Sequence, residues 1–560
     1  MTHRKCGIAL ALTMGLAVGT WGLAPFSSYA STTAAASAPT TPPSQVCGDT
    51  SLLSGPSTAP AGAVTVPAGD DSTTAMSNGG YIDANYQIAP YTTYWFASGV
   101  HTFATDEYDQ IQPKTGDTFI GGPGAIIDGQ GDNQAAFTQA AADVTIEYLT
   151  IQNFVPAGQQ GVVNHDAGAD WTVEYDTIQD NGDVQGSKYG AALMMGNGDV
   201  YEHNCIAHNG QYGLDAAGSS GTTFSDNEVS WNGISYFPDE YGCGCSGGIK
   251  FWDTTNTTVE GNYIHDNYNV GLWYDTDNAG ALVQGNLLAR NWAYGIIYEI
   301  SYNADINANT FIDNGWGSGS WRAGGYPYGD AIYISGSGGS SAVDGGLYST
   351  LTVSNNTFTD NWDGVVVYQN PNRLCGSGDN ASTGYCTLAD PSVFNATSCA
   401  ANDGGGSPAE SPDYWDGCQW KADNISVTGN TFNFDPTDIT GATDTLPDIT
   451  NSRCYSGADY LDTSSAANQY WCGFNGQFSL GGSGSGGPSQ GWATADALMG
   501  LQGSTGQAPD NNNWSGDTYN GPWAFQAYVQ STSTVQTDVY PNAIATTLDL
   551  AGWQSIWGLD

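Results

Sequence analysis

Positive charge is scarce in this chain. Only ten of its 560 residues are lysine or arginine, against 56 aspartates and glutamates, so the formal net charge is −46. A surface so poor in cations repels polyanions, which argues against nucleic acid, anionic membranes and polyanionic glycans unless bound cations bridge the contact. The simplest explanation of this composition is an acidic medium, in which many of the carboxylates are protonated.

Long apolar runs and helical periodicity are also rare. The only run of membrane-like length is at the start, where a basic beginning precedes an apolar stretch (8–24) and a small-residue end (28–30). This pattern predicts a cleaved signal peptide over residues 1–30, and therefore a secreted, extracellular protein without membrane insertion. Residues 31–46 form a Ser/Thr/Ala/Pro linker.

Cysteines are few, but their number is even once the predicted signal peptide is removed. Eleven are present, including Cys6, and the remaining ten predict disulfides outside the cell. Three pairs are close enough in sequence to be local: Cys375/Cys386, Cys399/Cys418 and Cys454/Cys472. The pairing of the other four stays open: Cys47, Cys205, Cys243 and Cys245. A metal site at the Cys-Gly-Cys sequence 243–245 is the alternative to disulfides there.

A repeat with a period in the low twenties organises the chain. The blocks GIKFWDTT, GLWYDTDN and GIIYEISY begin at Gly248, Gly271 and Gly295, and between them lie copies of a pattern with two asparagines five residues apart. The pairs are Asn204/Asn209, Asn227/Asn232, Asn262/Asn267, Asn286/Asn291, Asn309/Asn314 and Asn356/Asn361, with Asp176/Asn181 as a variant and Asn430 as a late copy. Asparagine tolerates left-handed backbone, and its amide can bond to the next copy, so these residues are expected to be structural. The pattern predicts an all-β fold, a single right-handed parallel β-helix.

The repeat also sets the domain boundaries. We predict an N-terminal cap with the first strands (47–116), a β-helix core (117–370), a cysteine-containing insertion (371–423), final coils with a Gly/Ser-rich loop (424–530) and a C-terminal cap (531–560). Irregular caps are expected because an uncovered end coil would expose unpaired strand edges. One short helix is expected over 492–501.

The motifs resemble a known superfamily. The Gly-Pro-Gly…Ile-Asp-Gly-Gln-Gly run (122–131) and the asparagine-bearing coils after it resemble the pectate-lyase-like superfamily of right-handed β-helix proteins. The stretches GCGCSGGIKFW, GLWYDTDN, GIIYEISYNA and NNWSGDTYNGPW look like secreted actinobacterial β-helix repeat proteins, a group without a firmly assigned activity. The resemblance covers roughly residues 90–530. It implies the fold and leaves the reaction open.

Aligning the strands on their leading residues predicts which side chains share a face. The anchors are Gly161, Gly190, Gly213, Gly248, Gly271, Gly295, Ala331 and Gly364. The first and third residues after the anchor are mostly apolar and are expected to face the core, which places the second and fourth outside. One predicted outer column is Asp215, Lys250, Trp273, Ile297 and Tyr333. The other is His165, Met194, Ala217, Trp252, Asp275, Glu299, Ser335 and Tyr368.

Two neighbouring acids in the second column are the candidate catalytic residues. Neighbouring coils lie about 4.8 Å apart, so Asp275 and Glu299 are expected side by side, with Asp277 two residues further along. Two adjacent carboxylates do not both ionise cheaply, so one pKa is expected to rise. Retaining glycosidases place their acid and nucleophile about 5–5.5 Å apart. We therefore predict that this pair hydrolyses a polysaccharide.

The remaining candidates would line a groove over these acids. Loops 233–247 and 315–330 are expected to enter the same edge of the β-helix, and tryptophan faces suit sugar rings. The predicted substrate-binding residues are Trp252, Trp273, Asp215, His165, Glu240, Trp316, Arg322 and Tyr333. The few cations in this set favour a neutral or weakly acidic glycan. The protein is expected to be a monomer.

Three alternatives remain at this stage. Lys250, expected to pair with Asp215, could instead be the base of a polysaccharide lyase in which calcium neutralises charge. Calcium between coils could also explain the stacked acids, although no metal ligands are assigned. Finally, the groove could belong to a non-catalytic carbohydrate-binding or surface protein.

Overall fold

The computed structural model describes most of the repeat region and parts of the chain around it. The described residues are 43, 45–70, 90–103, 111–138, 141–182, 190–234, 246–317, 329–341, 343, 346–368, 422–435, 454–455, 470–471, 473–478, 511–528, 545–548 and 550–557. The predicted signal peptide, the helix expected over 492–501 and at least one member of each predicted local cysteine pair lie outside these ranges.

Three long sheets contain nearly all of the described strands. Sheet A consists of β1 (Val64–Val66), β3 (Thr93–Phe96), β5 (Thr118–Gly121), β7 (Thr145–Glu147), β10 (Thr172–Glu174), β13 (Val200–Glu202), β16 (Thr223–Ser225), β19 (Thr258–Glu260), β22 (Ala279–Gln284), β25 (Tyr302–Asn307), β28 (Leu351–Ser354), β31 (Ile425–Thr428) and β36 (Asn513–Ser515). Sheet B consists of β2 (Gly69–Asp70), β4 (Gly99–Thr102), β6 (Ala125–Asp128), β8 (Thr150–Gln152), β11 (Thr177–Gln179), β14 (Cys205–Ala207), β17 (Glu228–Ser230), β20 (Tyr263–His265), β23 (Leu287–Ala289), β26 (Thr310–Ile312), β29 (Thr357–Thr359), β32 (Thr431–Asn433) and β37 (Thr518–Asn520). Sheet C consists of β9 (Gly161–Val163), β12 (Ala191–Met194), β15 (Tyr212–Ala217), β18 (Gly247–Trp252), β21 (Val270–Asp275), β24 (Tyr294–Glu299), β27 (Asp330–Ser335), β30 (Asp363–Tyr368), β35 (Phe474–Phe478), β38 (Ala524–Tyr528) and β39 (Ala545–Leu548). A separate two-stranded sheet is formed by β33 (Cys454–Tyr455) and β34 (Tyr470–Trp471).

The chain visits the three sheets in turn, and this order defines the fold. Strand β18 of sheet C is followed by β19 of sheet A, β20 of sheet B and then β21, which pairs in parallel with β18. Crossovers between parallel strands of one sheet are right-handed because of the twist of the strands. The molecule is a right-handed parallel β-helix, as the sequence predicts. Strands β1 to β4, in the segment predicted as the N-terminal cap with the first strands, already belong to sheets A and B.

One continuous apolar core fills the coils. A representative column runs through five strands of sheet C and contains Ile249, Leu272, Ile296, Ile332 and Val365. Each of these side chains is at most 1% exposed. Because burial of one such side chain is worth about 1.5–3 kcal/mol, the predicted inward columns stabilise the stack coil by coil.

Two ladders of asparagines run along the turns and confirm the structural role predicted for these residues. The first, between sheets A and B, is Asp176, Asn204, Asn227, Asn262, Asn286, Asn309, Asn356, Asn430 and Asp517. The second, between sheets B and C, is Asn181, Asn209, Asn232, Asn267, Asn291, Asn314 and Asn361. In each step the side-chain oxygen accepts hydrogen bonds from the previous residue of the ladder. The turns are therefore held by buried polar contacts that continue from coil to coil.

The left-handed backbone is located one residue before the position expected from the sequence. It is the residue preceding each ladder asparagine that has positive φ, for example His203 (57°), Asp226 (54°) and Ala308 (53°). The asparagine itself is left free to use its amide in the ladder.

Gly271 shows why glycine recurs at the start of the sheet C strands. A Cβ there would lie 2.7 Å from the Gly295 carbonyl oxygen and 2.8 Å from Asn291 Nδ2. The second ladder therefore runs directly beside this position, and a larger residue would displace backbone or ladder atoms.

An antiparallel strand and a helix cover the C-terminal end of the stack, in contrast to the parallel strands of the coils. Strand β39 pairs antiparallel with β38, and helix α1 (Leu550–Trp557) follows. Its Trp553 is 1% exposed and packs against Trp514 and Phe525. Among the described residues, no helix has the length and apolarity needed to cross a membrane.

Candidate functional site

The outer face of sheet C carries the predicted columns from β15 onward. Asp215, Lys250, Trp273, Ile297 and Tyr333 are successive partners across β15, β18, β21, β24 and β27. The second column is confirmed in the same way from β15 to β30 and contains Ala217, Trp252, Asp275, Glu299, Ser335 and Tyr368. The structure thus brings the two candidate catalytic acids together as direct neighbours.

The first two strands of sheet C do not follow the predicted alignment. Met194 pairs with Asp215 rather than with Ala217, so it belongs to the other outer column. Gly161 pairs with Ala191 rather than with Gly190, and His165 lies in the turn after β9, with its Nδ1 3.1 Å from the Gly161 carbonyl oxygen. The alignment on glycine failed here because Gly161 lies one residue, and Gly190 two residues, before the anchor position of its strand, which is occupied by Val162 and Ala192.

Lys250 is the central cation of the face. Its Nζ lies 2.9 Å from Asp275 Oδ2 and 4.2 Å from the centre of the Trp273 ring. The lysine is 7% exposed. The predicted ion pair with Asp215 is therefore wrong in its partner, because the lysine side chain reaches to the next strand and along it toward Asp275. The ammonium group is thus held in place by a carboxylate on one side and an aromatic face on the other.

The two candidate catalytic acids have different surroundings. Asp275 accepts a hydrogen bond from Thr276 Oγ1 at 2.9 Å in addition to the Lys250 ion pair, and its side chain is 20% exposed. Glu299 accepts a hydrogen bond from Trp273 Nε1 at 3.0 Å and is 7% exposed. A cation thus stabilises one carboxylate, while the other contacts a neutral donor. This is the type of asymmetry that separates a nucleophile from an acid/base residue.

Trp252 and Trp273 have opposite exposures, although both were predicted to bind sugar. Trp252 is 45% exposed at the end of β18, and its strand partner is Asp275. Trp273 is 6% exposed and packs with Ile297 and Tyr294 beneath Lys250. Only Trp252 can therefore offer a free ring face, whereas Trp273 orients Lys250 and Glu299.

On this face, Asp215 has a pKa that departs clearly from the usual value of an aspartate. Burial raises its pKa to about 6, and the charge of Asp275 acts in the same direction, whereas Lys250 and a backbone hydrogen bond lower it. The residue is 6% exposed. Asp215 therefore takes up a proton in mildly acidic solution, next to the lysine that orients Asp275.

Replacing Asp215 by Asn should change how stability depends on pH. Since the pKa of Asp215 is raised in the folded state, the protonated form favours folding. Its stabilising effect is complete below about pH 4 and is lost as the pH rises through about 6. Between pH 4 and pH 7 we expect the wild type to lose about 3 kcal/mol of unfolding free energy relative to Asp215→Asn.

Urea unfolding of both proteins at the two pH values measures this difference. An equal response to pH in the two proteins would contradict it, and Asp166→Asn, at an exposed position, is the control.

Several other predicted site residues lie elsewhere. Trp316 is 4% exposed, donates its indole hydrogen to the Asp360 carbonyl oxygen at 3.0 Å and packs edge-on against Trp362. It is a core residue, and its assignment to the groove is wrong. Asp277 is not on strand β21 but in the turn after it, with φ of 58°. Glu240 and Arg322 lie outside the described residues.

Tyr333 remains on the outer face, where its ring lies 5.6 Å from that of Tyr294 and 6.1 Å from that of Tyr368. Burial raises the pKa of its hydroxyl well above the usual value, and the nearby Glu299 and Asp330 carboxylates contribute to this rise. The hydroxyl is therefore neutral and can act only as a hydrogen-bonding group.

A second acid pair on sheet C was missed from the sequence. Asp330 and Asp363 are direct partners on β27 and β30, 0% and 5% exposed. Burial raises the pKa of both, and for Asp363 the neighbouring Asp330 adds to the effect. Each aspartate immediately precedes the anchor position of its strand, so the pair lies outside the first to fourth positions after the anchor that the alignment compares.

Metal ligands do not cluster in the described coils. Within the ranges given above, no group of three or more histidine, cysteine, aspartate or glutamate side chains could hold a metal ion. The calcium alternative for the stacked acids therefore has no support from the described part of the chain.

Comparison with known proteins agrees with the fold. The model of a family described as "Right handed beta helix region" matches residues 140–345 and 239–395. No curated protein matches the sequence.

Solved structures with a similar course of the chain act on polysaccharides in different ways. A mannuronic acid specific polysaccharide family 6 lyase from human gut microbiota is 13% identical, with 66% of this chain and 74% of that chain covered and a TM-score of 0.42. The A-module of the mannuronan C-5 epimerase AlgE4 of Azotobacter vinelandii is 11% identical, with 85% and 98% covered and a TM-score of 0.37. The catalytic domain of a GH87 α-1,3-glucanase, in complex with tetrasaccharides, is 9% identical, with 66% and 60% covered and a TM-score of 0.32. At these values the comparisons carry no argument about the reaction.

Proposed function

We propose that this protein is a secreted glycoside hydrolase that cleaves a neutral or weakly acidic polysaccharide with retention of configuration. The observation that carries the proposal is the direct pairing of Asp275 with Glu299 on neighbouring parallel strands. Neighbouring strands lie about 4.8 Å apart, close to the roughly 5–5.5 Å separation of the two carboxyl groups in retaining enzymes.

The surroundings of the two acids suggest their roles. Asp275, positioned by its ion pair with Lys250 and by the hydrogen bond from Thr276, would attack the anomeric carbon of the sugar. Glu299, contacted by the neutral Trp273 indole, would give its proton to the glycosidic oxygen as the bond to the leaving sugar breaks. Water would then attack the covalent intermediate, return a proton to Glu299 and release Asp275.

Trp252 would supply the sugar platform. It is 45% exposed and pairs with Asp275 in the sheet, so a sugar ring stacked on it would lie next to the proposed nucleophile. Lys250 and Trp273 would act as positioning residues, because they contact the two acids and are themselves buried.

A lyase is less well supported. A lyase base must reach a proton of the substrate, but Lys250 is 7% exposed, and its Nζ lies 2.9 Å from an Asp275 carboxylate oxygen and 4.2 Å from the centre of the Trp273 ring. Using it as a base would require breaking this ion pair.

The test is incubation of the mature protein with neutral and acidic polysaccharides of plant, fungal and bacterial origin, at about pH 4 and 6 and with or without calcium. We expect new reducing ends without the ultraviolet absorbance of an unsaturated uronide. Absorbance together with reducing ends would support a lyase instead. Tight binding without any product would support a carbohydrate-binding protein.

A further inference from the structure

A short N-terminal segment, residues 45–53, lies across the outer face of sheet B. Val46 is 2% exposed and packs with Cys205 and Ala207 of β14, and Leu52 and Leu53 pack against the same cluster. The segment is distant in sequence from this surface, since Cys47 and Cys205 are 158 residues apart. Its position is therefore set by contacts between distant parts of the chain.

Two of these contacts fix the backbone of the segment. The amides of Val46 and Cys47 both donate to Glu228 Oε2, at 2.7 and 2.8 Å. The segment is also linked covalently to β14, because Cys47 forms a disulfide with Cys205. This pairing answers one question that the sequence left open.

Glu228 is in turn held by a histidine that lies between two carboxylates. His265 Nε2 lies 3.1 Å from Glu228 Oε1, and His265 Nδ1 lies 2.6 Å from Asp266 Oδ2. Carboxylates only accept hydrogen bonds, so both ring nitrogens must carry a hydrogen for both contacts to form. The geometry therefore requires a charged imidazolium at a position that is 7% exposed.

The other polar groups around this histidine are accounted for. Arg290 donates to both oxygens of Asp266, at 2.8 Å from Nε and 2.6 Å from Nη2, and also contacts the Tyr263 hydroxyl at 3.1 Å. The Tyr263 ring stacks on His265 with centres 3.7 Å apart. Ser230 and Ala289 are the strand neighbours of His265. In the segment itself, the charged residue is Asp49, whose carboxylate is engaged by Ser51 and Leu52.

We propose that the Cys47–Cys205 disulfide and the Glu228–His265 ion pair form a two-lock clasp that releases residues 45–53 only when both locks are open. Either lock is sufficient to hold the segment in place. The clasp would be closed in an oxidising or acidic medium and open in one that is both reducing and alkaline. It would thus make docking of the N-terminal segment depend on the surroundings of the protein.

The direction of the pH dependence follows from the contacts. Burial alone would lower the pKa of His265, but hydrogen bonds and charge from Asp266 and Glu228 outweigh it and raise the pKa above its usual value. A group with a raised pKa stabilises the folded arrangement at low pH, and this contribution is lost as the pH rises through the raised value. When His265 loses its proton, Arg290 still neutralises Asp266. Within the described part of the chain, the buried carboxylate of Glu228 then keeps its two backbone amide donors but loses its cationic partner.

The redox lock opens by ordinary chemistry. A water-soluble phosphine attacks the disulfide and, with water, gives two thiols and the phosphine oxide, so the phosphine is oxidised as the Cys47–Cys205 bond is reduced. A Cys47→Ala/Cys205→Ala variant removes the same bond and leaves all other cysteines unchanged.

Hydrogen exchange of the full mature chain tests the clasp. Peptides covering 45–53 are followed at pH 5 and pH 8.5, with and without the phosphine, and rates are corrected for the intrinsic effect of pH. We expect protection in three of the four conditions and at least about tenfold faster exchange at pH 8.5 with reductant. The double cysteine variant should reproduce this acceleration at pH 8.5 without any reductant.

Variants separate the two locks. In His265→Gln, reduction alone should release the segment at pH 5. Glu228→Gln, the second variant, should give the same result. His203→Gln, at a partly exposed histidine that stacks on Tyr175, is the control and should behave as wild type. A peptide from β21 must stay protected, which shows that the β-helix is intact. Release by reduction alone at both pH values, or protection in all four conditions, would overturn the proposal.

Discussion

The Asp275→Asn variant is expected to lose nearly all turnover. Its kcat should fall by at least about 10³-fold on the polysaccharide that the wild type hydrolyses fastest. An amide cannot attack the anomeric carbon. Its single oxygen can keep the contact with either Lys250 or Thr276 but not with both, because these two donors contact different oxygens of Asp275. Glu299→Gln removes the proton donor and should lower kcat by about 10²–10⁴-fold, the usual contribution of general acid catalysis. Initial rates of reducing-end release measure both effects.

Substrate choice sharpens this experiment. An aryl glycoside with an acidic phenol needs little protonation on departure, so Glu299→Gln should form the covalent intermediate with it at close to the wild-type rate, whereas Asp275→Asn should not. Glu202→Gln, a carboxylate on the outer face of sheet A, is the matched control and should leave kcat unchanged. Unaltered turnover in both site variants would remove these residues from the mechanism, even if the protein proves to be an enzyme.

The Asn286→Ala variant is expected to lose at least about 2 kcal/mol of unfolding free energy. Asn286 Nδ2 donates to the Val259 carbonyl oxygen at 2.8 Å, and its Oδ1 accepts from the Asn262 amide and from Asn262 Nδ2, at 2.9 and 3.0 Å. Truncation removes the side-chain partner of the Val259 carbonyl oxygen and of the Asn262 amide, and each unsatisfied group costs about 1–3 kcal/mol. Asn262 Nδ2 keeps its hydrogen bond to the Phe224 carbonyl oxygen. The urea concentration at half unfolding should fall accordingly.

An exposed asparagine of the same stack provides the control. Asn520 donates to Asn433 Oδ1 at 2.9 Å at the end of β37, where water can replace the lost contact. Asn520→Ala should therefore change the free energy of unfolding by less than about 0.5 kcal/mol. A comparable loss in both variants would mean that the ladder contributes no more than a surface hydrogen bond.

The sequence predicts the middle of the β-helix well because each coil there repeats the same spacing of glycine, apolar residues and asparagine. From β15 to β30 the anchor is Gly or Ala, and large apolar residues follow at the first and third positions of most strands, so the register of Asp275 and Glu299 could be derived by counting. At β9 and β12 the anchor position holds Val162 and Ala192, while the glycines lie one residue earlier (Gly161) and two residues earlier (Gly190), so counting from glycine gave the wrong register. Local pattern is informative only where a coil follows the common spacing.

Contacts between distant segments could not be predicted in this way. Glu228 and His265 look like outward strand residues of sheet B, and their burial depends on a segment about 180 residues earlier in the chain. Trp273 is likewise on the predicted face, yet its neighbours Tyr294 and Ile297 leave it only 6% exposed. The pairing of Lys250 with Asp275 instead of Asp215 reflects the reach of a flexible side chain, which periodicity does not encode.

The two asparagine ladders have a consequence for how such a protein can change in length. Each ladder asparagine accepts from the residue before it and donates to the residue after it, so every internal member makes the same set of contacts. A duplication or deletion that adds or removes one whole coil would keep every link, whereas the loss of a part of a coil that contains a ladder residue would break the ladder at that point. The spacing between ladder partners already varies from 23 to 87 residues without interrupting the first ladder. The β-helix can therefore acquire side loops of any length between fixed links, and new binding surfaces can arise without altering the coils beneath them.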